Sequence, residues 1–186
     1  LAISSEQVAL CVNELGIGFM FALMHHSAMR HVTVARKELG LRTLFNILGP
    51  MANPAGLTRQ LIGVYDRALC RPIAEVLQRL GSEHVMVVHS DDGLDEISLA
   101  ADTHVAELKG GEVREYTLQP EQLGFERGSL QDLVVDGVDA SLQLLTAALA
   151  GEKDQRSQRA TDLIALNAGA ALYVAGLADS VAKGVG

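Results

Sequence analysis

The sequence predicts an α/β domain: a layered arrangement with a mostly parallel central sheet, a β-hairpin extension and flanking helices. Three observations carry this. QLIGVY (60–65), RALCRPIAEVLQRLG (67–81) and HVMVVHS (84–90) read in order as strand, helix and strand with short links, which favours parallel packing. THVAELKGGEVREYTL (103–118) sets two alternating runs around Gly110-Gly111, a hairpin signature. Beyond Pro120 the periodicity turns helical. The 186 residues suffice for one such domain with a sizeable core. That core must rest on Leu, Val, Ile and Ala, because there are four Phe and no Trp.

Taken in order, Ser4 and Gln7 form a capping box. Val8, Cys11, Val12 and Leu15 follow at helical spacing, and Gly16 can close the helix. IGFMFAL (17–23) reads as a buried strand, and HHSAMRHVTVARKELG (25–40) as a basic, partly helical segment. GPMANPAG (49–56) holds two Pro and two Gly, so it must turn. In 67–81, Pro72 is tolerated only in the first helical turn. Further helices are expected at 138–150, 158–176 and 179–184, with GEKDQRSQR (151–159) as a polar surface link. There is no internal repeat, no low-complexity tract and no sign of a second folded domain, so 1–186 is read as one partial α/β domain.

A formal charge of −8 disfavours bulk electrostatic binding to nucleic acid or an anionic membrane. Cys11 and Cys70 lie in amphipathic patterns and read as reduced, buried thiols. No CxxC pair, metal cluster or secretory leader is present, which fits a cytoplasmic setting. LIALNAGAALYVAGLA (163–178) is too short to span a bilayer and is interrupted by Asn167, so a buried helix is expected. The chain starts at Leu1 rather than Met and stops at Gly186 directly after a helical pattern, which suggests a piece of something longer.

HSDDGLDEIS (89–98) brings Asp91, Asp92, Asp95 and Glu96 to the end of a strand. Ligands bind at the carboxyl edge of parallel sheets. Gly93 allows a tight bend there, and the adjacent Asp95 and Glu96 can reach two ions, or one ion and its water shell. Carboxylates with water suit Mg²⁺. A solvated acidic turn accounts for the same spacing, and the calcium-loop pattern is not met.

The basic segment concentrates His25, His26, Arg30, His31, Arg36, Lys37 and Arg42 in an acidic chain. It can cradle an anion, with arginine clamping a carboxylate through paired hydrogen bonds, or it can be a solvated helix face. Asn46, Gly49, Pro50, Asn53 and Pro54 could wall a flat ligand or only turn the chain. No GxGxxG precedes a helix and there is no GxxxxGK[ST], so neither nicotinamide dinucleotide binding nor classical nucleotide hydrolysis has direct support. Ser90 and Ser98 sit in no GxSxG elbow, and no covalent catalyst is evident.

ELGIGFMFA (14–22), HHSAMRHVTVARKELGLRTLFNILGPMANPAG (25–56), RQLIGVY (59–65), HSDDGLDEIS (89–98), THVAELKGGEV and LNAGAALYVAG resemble anthranilate phosphoribosyltransferase, in order, over nearly the whole chain. The resemblance implies a truncated catalytic domain of the nucleoside phosphorylase and phosphoribosyltransferase kind. It implies transfer of phosphoribosyl from 5-phosphoribosyl 1-pyrophosphate (PRPP) to anthranilate, giving N-(5-phosphoribosyl)anthranilate and pyrophosphate, in tryptophan biosynthesis. By this resemblance Asp95 and Glu96 bind Mg²⁺, Arg36 contacts the anthranilate carboxylate, His26 and Met29 line the anthranilate channel, and Asn53 and Pro54 lie near the active site. A homodimer, and association with anthranilate synthase, are also implied.

Two positions depart from the family pattern. Leu23 and Ser27 stand where members commonly have proline, which frees the local backbone and lets Ser27 cap a following helix. The family's small N-terminal helical domain, its Gly-Thr-Gly-Gly-Asp loop and its Lys-His-Gly-Asn-Arg segment would precede Leu1, and a short tail would follow Gly186. The isolated 186 residues are therefore expected to be catalytically silent, or nearly so. A related phosphoribosyltransferase or pyrimidine-nucleoside phosphorylase, and a non-enzymatic binding or assembly module of the same fold, are the alternatives.

Overall fold

The computed structural model describes residues 3–21, 25, 49, 51 and 55–186. They belong to two compact units, Leu1–Leu57 and Thr58–Gly186. The basic segment beyond His25, and residues 50 and 52–54 of the 49–56 turn, lie outside the described residues.

In the first unit, helix α1 (Ser5–Leu15) starts with the expected capping box. The Gln7 amide donates to Ser4 Oγ at 3.3 Å, and the Ser4 amide donates to Gln7 Oε1 at 2.8 Å. The helix closes at Gly16, and the chain folds back on it. A Cβ at Gly18 would meet Val12 Cγ2 at 2.8 Å. This return replaces the expected strand: residues 17–21 have no regular structure and leave Ile17, Phe19 and Phe21 exposed. A strand needs a ladder partner, and 17–21 has none among the described residues.

The second unit is built on a four-stranded sheet of β1 (Arg59–Gly63), β2 (His84–Ser90), β3 (Thr103–Lys109) and β4 (Glu112–Leu118), in that spatial order. β1 and β2 are parallel, with Gly63 opposite Val88. β2 and β3 are antiparallel, as are β3 and β4. The expected parallel strand–helix–strand unit and hairpin are both present. The described sheet is mixed rather than mostly parallel, because β2 passes directly to an antiparallel neighbour. Gly110 and Gly111 both have positive φ, 60° and 80°, which a two-residue turn between paired Lys109 and Glu112 needs and only glycine adopts at little cost.

Strand alternation divides the sheet into two faces. One is covered by α2 (Cys70–Arg79), whose buried Cys70, Ile73, Ala74 and Leu77 repeat at helical spacing and pack toward β2 and β3. Pro72 falls in the first turn of α2, as its missing amide requires. Burial pushes the Cys70 thiol up to about 11, with the Glu115 charge adding to the effect, so it stays a protonated core side chain. Cys11 is only partly buried.

The opposite face carries the main core. Met86, Val88 and Val105 meet Leu166, Ala170 and Val174 of α4 (Gln155–Ala175) and Val181 of α5 (Val181–Val185). On this face Glu107 accepts hydrogen bonds from His84 (2.7 Å), Tyr173 (2.7 Å) and Tyr116 (2.9 Å), which ties the sheet to α4. α3 (Val138–Ala150) packs against α4. The polar link between α3 and α4 is shorter than expected. Asp154 caps α4 by accepting from the Arg156 and Ser157 amides, so the helix begins at Gln155. No described helix is long and apolar enough to cross a membrane.

α4 and α5 touch at two glycines. A Cβ on Gly184 would fall 2.2 Å from the Gly169 carbonyl oxygen, and one on Gly169 would fall 2.5 Å from Val185 Cγ2. Gly169→Ala should therefore destabilise the fold by about 1–2 kcal/mol, with overpacking outweighing the ~1 kcal/mol that alanine gains in a helix. Chemical denaturation of the purified protein checks this, and a more stable variant would contradict the close crossing.

Candidate functional site

The acidic bend begins where β2 ends. The Gly93 amide donates to the Ser90 carbonyl at 2.9 Å, and the Ser90 amide donates to the Leu94 carbonyl at 3.0 Å. Gly93 sits at φ 91°, so a side chain there would be strained. The chain then returns across the α4 face of the sheet. It does so because Ile97 and Leu99 are apolar and complete the core there, each almost fully buried.

The four carboxylates have different fates. Asp92 is committed to the bend: Oδ1 accepts from the Leu94 amide at 3.2 Å and Oδ2 from the Ser98 hydroxyl at 2.6 Å. The side chains of Asp91, Asp95 and Glu96 make no hydrogen bond or ion pair among the described residues, and all three are exposed. Glu96 meets solvent over much of its surface, yet protein crowding around its carboxyl raises its pKa, and the neighbouring Asp95 charge raises it further. The Asp95–Glu96 pair thus carries negative charge that the described protein does not neutralise.

Three contacts fix the backbone under this pair. Ser90, Ser98 and Thr103 form a fully buried hydroxyl knot. Within it the Ser90 hydroxyl donates to the Glu96 carbonyl at 2.7 Å, Ser90 and Thr103 share a hydrogen bond, and the Ser98 amide donates to both hydroxyls at 3.2 and 3.1 Å. Both serine hydroxyls are thereby used structurally. From β1, Gly63 gives the bend room, since a Cβ there would stand 1.5 Å from the Asp95 carbonyl oxygen. From α4, Asn167 grips the residue after Glu96. Its Oδ1 accepts from the Ile97 amide at 3.0 Å, and its Nδ2 donates to the Ile97 carbonyl at 3.0 Å.

Among the described residues no group of three or more His, Cys, Asp or Glu could hold a metal ion. A closed zinc or calcium cage is therefore not formed by them. Two adjacent, unpaired oxygen donors at an open bend do fit Mg²⁺, which commonly takes one or two carboxylates and completes its shell with water and substrate phosphates. An open cavity of about 490 Å³ adjoins the bend, lined by residues including Asp92, Leu94, Leu130 and Val134. Neither Asp95 nor Glu96 lines it, and the Asp92 carboxylate is already engaged.

Over residues 1–186 the chain matches the glycosyl transferase family, a/b domain. The chain belongs to this family. It is 63% identical over 185 residues to an anthranilate phosphoribosyltransferase of Marinobacter nauticus, covering 100% of the chain and 54% of the relative. Among solved structures, an anthranilate phosphoribosyltransferase of Thermus thermophilus superposes with a TM-score of 0.83 at 40% identity, covering 96% of the chain and 52% of its own. The Saccharomyces cerevisiae enzyme solved in complex with PRPP and Mg gives a TM-score of 0.82 at 25% identity, covering 99% and 52%. The chain thus spans about half the length of the curated relatives it matches.

Of the residues singled out in the sequence, Asp95 and Glu96 lie together on the bend. Arg36, His26, Met29, Asn53 and Pro54 lie outside the described residues. Sequence reasoning passed over Gly63 and Asn167 as parts of this site. A signal for Asn167 was present, because a polar amide inside an apolar family helix must find a hydrogen-bond partner.

Proposed function

We propose that the full-length protein transfers the phosphoribosyl group of PRPP to anthranilate, forming N-(5-phosphoribosyl)anthranilate and pyrophosphate in tryptophan biosynthesis. The observation that carries this reading is 63% identity to an anthranilate phosphoribosyltransferase along the entire chain. The reading includes a cytoplasmic homodimer, association with anthranilate synthase, and residues 1–186 as part of one α/β domain.

In this reading Asp95 and Glu96 hold Mg²⁺, and their free carboxylates supply the oxygen donors it needs. Bound there, the ion would neutralise charge gathering on the pyrophosphate leaving group. The attacking aromatic amine is neutral at working pH and already nucleophilic, so it needs placement more than a strong base. Arg36 provides placement by clamping the ortho carboxylate, with His26 and Met29 along the anthranilate channel and Asn53 and Pro54 nearby. No covalent intermediate and no dedicated catalytic histidine are required.

The test is formation of phosphoribosylanthranilate by the full-length protein, compared with its Arg36→Ala variant. Arg36→Ala is expected to weaken anthranilate use by about 100-fold in kcat/KM, as loss of a charged bidentate contact would, while PRPP binding is largely kept. No product from the intact protein would refute the activity. Unchanged KM and kcat for anthranilate in the variant would refute the role of Arg36.

A further inference from the structure

We propose that Asn167 is a positioning residue for the Asp95–Glu96 pair, acting through the backbone of Ile97. This rests on the reading of that pair as the Mg²⁺ site. The amide is set for the task. It both accepts from the Ile97 N–H and donates to the Ile97 C=O, at 3.0 Å each, so its oxygen and nitrogen ends are each specified by a complementary backbone group. Its nitrogen also donates to the Leu163 carbonyl at 3.1 Å, one turn back in α4, which orients the side chain from its own helix.

The grip falls where the bend needs it. Ser90 holds the Glu96 carbonyl from the strand side, and Asn167 holds both polar groups of Ile97 from the helix side. The peptide unit leaving Glu96 is therefore fixed at both its oxygen and its nitrogen. The Glu96 side chain springs from that fixed backbone, and Asp95 is the next residue back, with its carbonyl set against Gly63. Both carboxylates are themselves unpaired among the described residues, so backbone anchoring is what orders them before an ion arrives. Residues that orient metal ligands from behind typically matter about 10- to 100-fold for metal affinity or activity.

The experiment compares full-length wild type, Asn167→Ala, Asn167→Asp, Tyr173→Phe and an Asp95→Asn/Glu96→Gln double variant. Tyr173→Phe is the stability control, because it removes two hydrogen bonds, one to Glu107 and one from Lys109, from the same helix about two turns away from Asn167. The readouts are Mn²⁺ affinity by electron paramagnetic resonance, the Mg²⁺ concentration giving half-maximal rate, thermal stability, and hydrogen exchange of the 91–99 segment.

Asn167→Ala should weaken Mn²⁺ binding about tenfold and raise the half-saturating Mg²⁺ by a similar factor, with kcat recovered at high Mg²⁺. It should also speed exchange at Ile97. Asn167→Asp keeps the acceptor for the Ile97 amide and should fall between wild type and Asn167→Ala. Tyr173→Phe should lose stability without changing metal affinity. If Asn167→Ala loses stability but keeps Mn²⁺ affinity while the double variant loses it, the positioning role is overturned and the metal site stands. If the double variant also keeps Mn²⁺ affinity, the metal reading falls, and this inference falls with it.

Discussion

Replacing Asp95 and Glu96 together by alanine in the full-length protein is expected to lower kcat/KM for phosphoribosyl transfer by about 100- to 1,000-fold, or about 3–4 kcal/mol of transition-state stabilisation. Folding should survive the change. Both side chains are exposed and make no hydrogen bond or ion pair among the described residues, so their removal breaks nothing that supports the bend and relieves repulsion between two like charges. Steady-state rates across a Mg²⁺ titration, with circular dichroism melts of the same samples, separate the two effects. A fully folded double variant with near wild-type turnover would remove the acidic bend from the mechanism. An equal fall in rate and stability would mean that the carboxylates serve the fold.

Gly63→Ala should be the most damaging single-methyl change in the described strands, at about 3 kcal/mol. The added carbon would lie 1.5 Å from the Asp95 carbonyl oxygen and 2.6 Å from its carbon, both backbone atoms that cannot rotate aside. β1 is held by its parallel ladder to β2, where Gly63 faces Val88, so the strand is poorly placed to retreat. The acidic bend must move instead. Denaturation midpoints measure the stability loss, and the half-saturating Mg²⁺ concentration measures the displacement. Both should worsen together. An alanine variant as stable and as Mg²⁺-responsive as wild type would show that the close approach is absent in solution.

Much of the second unit was legible in the sequence because its signals are local. Glycines at 110 and 111 dictate a two-residue turn, and Pro72 marks a helix start. The apolar spacing of Ile73, Ala74 and Leu77 marks the face that α2 buries. Long-range relations were not legible. The apolar run at 17–21 satisfies a strand's composition, yet strand formation depends on a partner that composition does not name. Four carboxylates in six residues look equivalent on paper. Only the folded bend shows that Asp92 is bonded to Leu94 and Ser98 while Asp95 and Glu96 are not. Asn167 and Ile97 are seventy residues apart, and Gly63 meets Asp95 from another strand. Neither pairing has a periodicity to betray it.

The knot of Ser90, Ser98 and Thr103 has a further consequence. The Ser98 hydroxyl donates outward to the Asp92 carboxylate, whereas those of Ser90 and Thr103 are shielded from water and bonded to the chain or to each other. Added electrolyte, which shortens the reach of charges in solvent, has nothing to screen between Ser90 and Thr103. This inner part of the bend's foundation is thus indifferent to ionic strength, and the acids of the bend, Asp92 among them, respond. Salt can compete for what the bend attracts without loosening the platform that presents it.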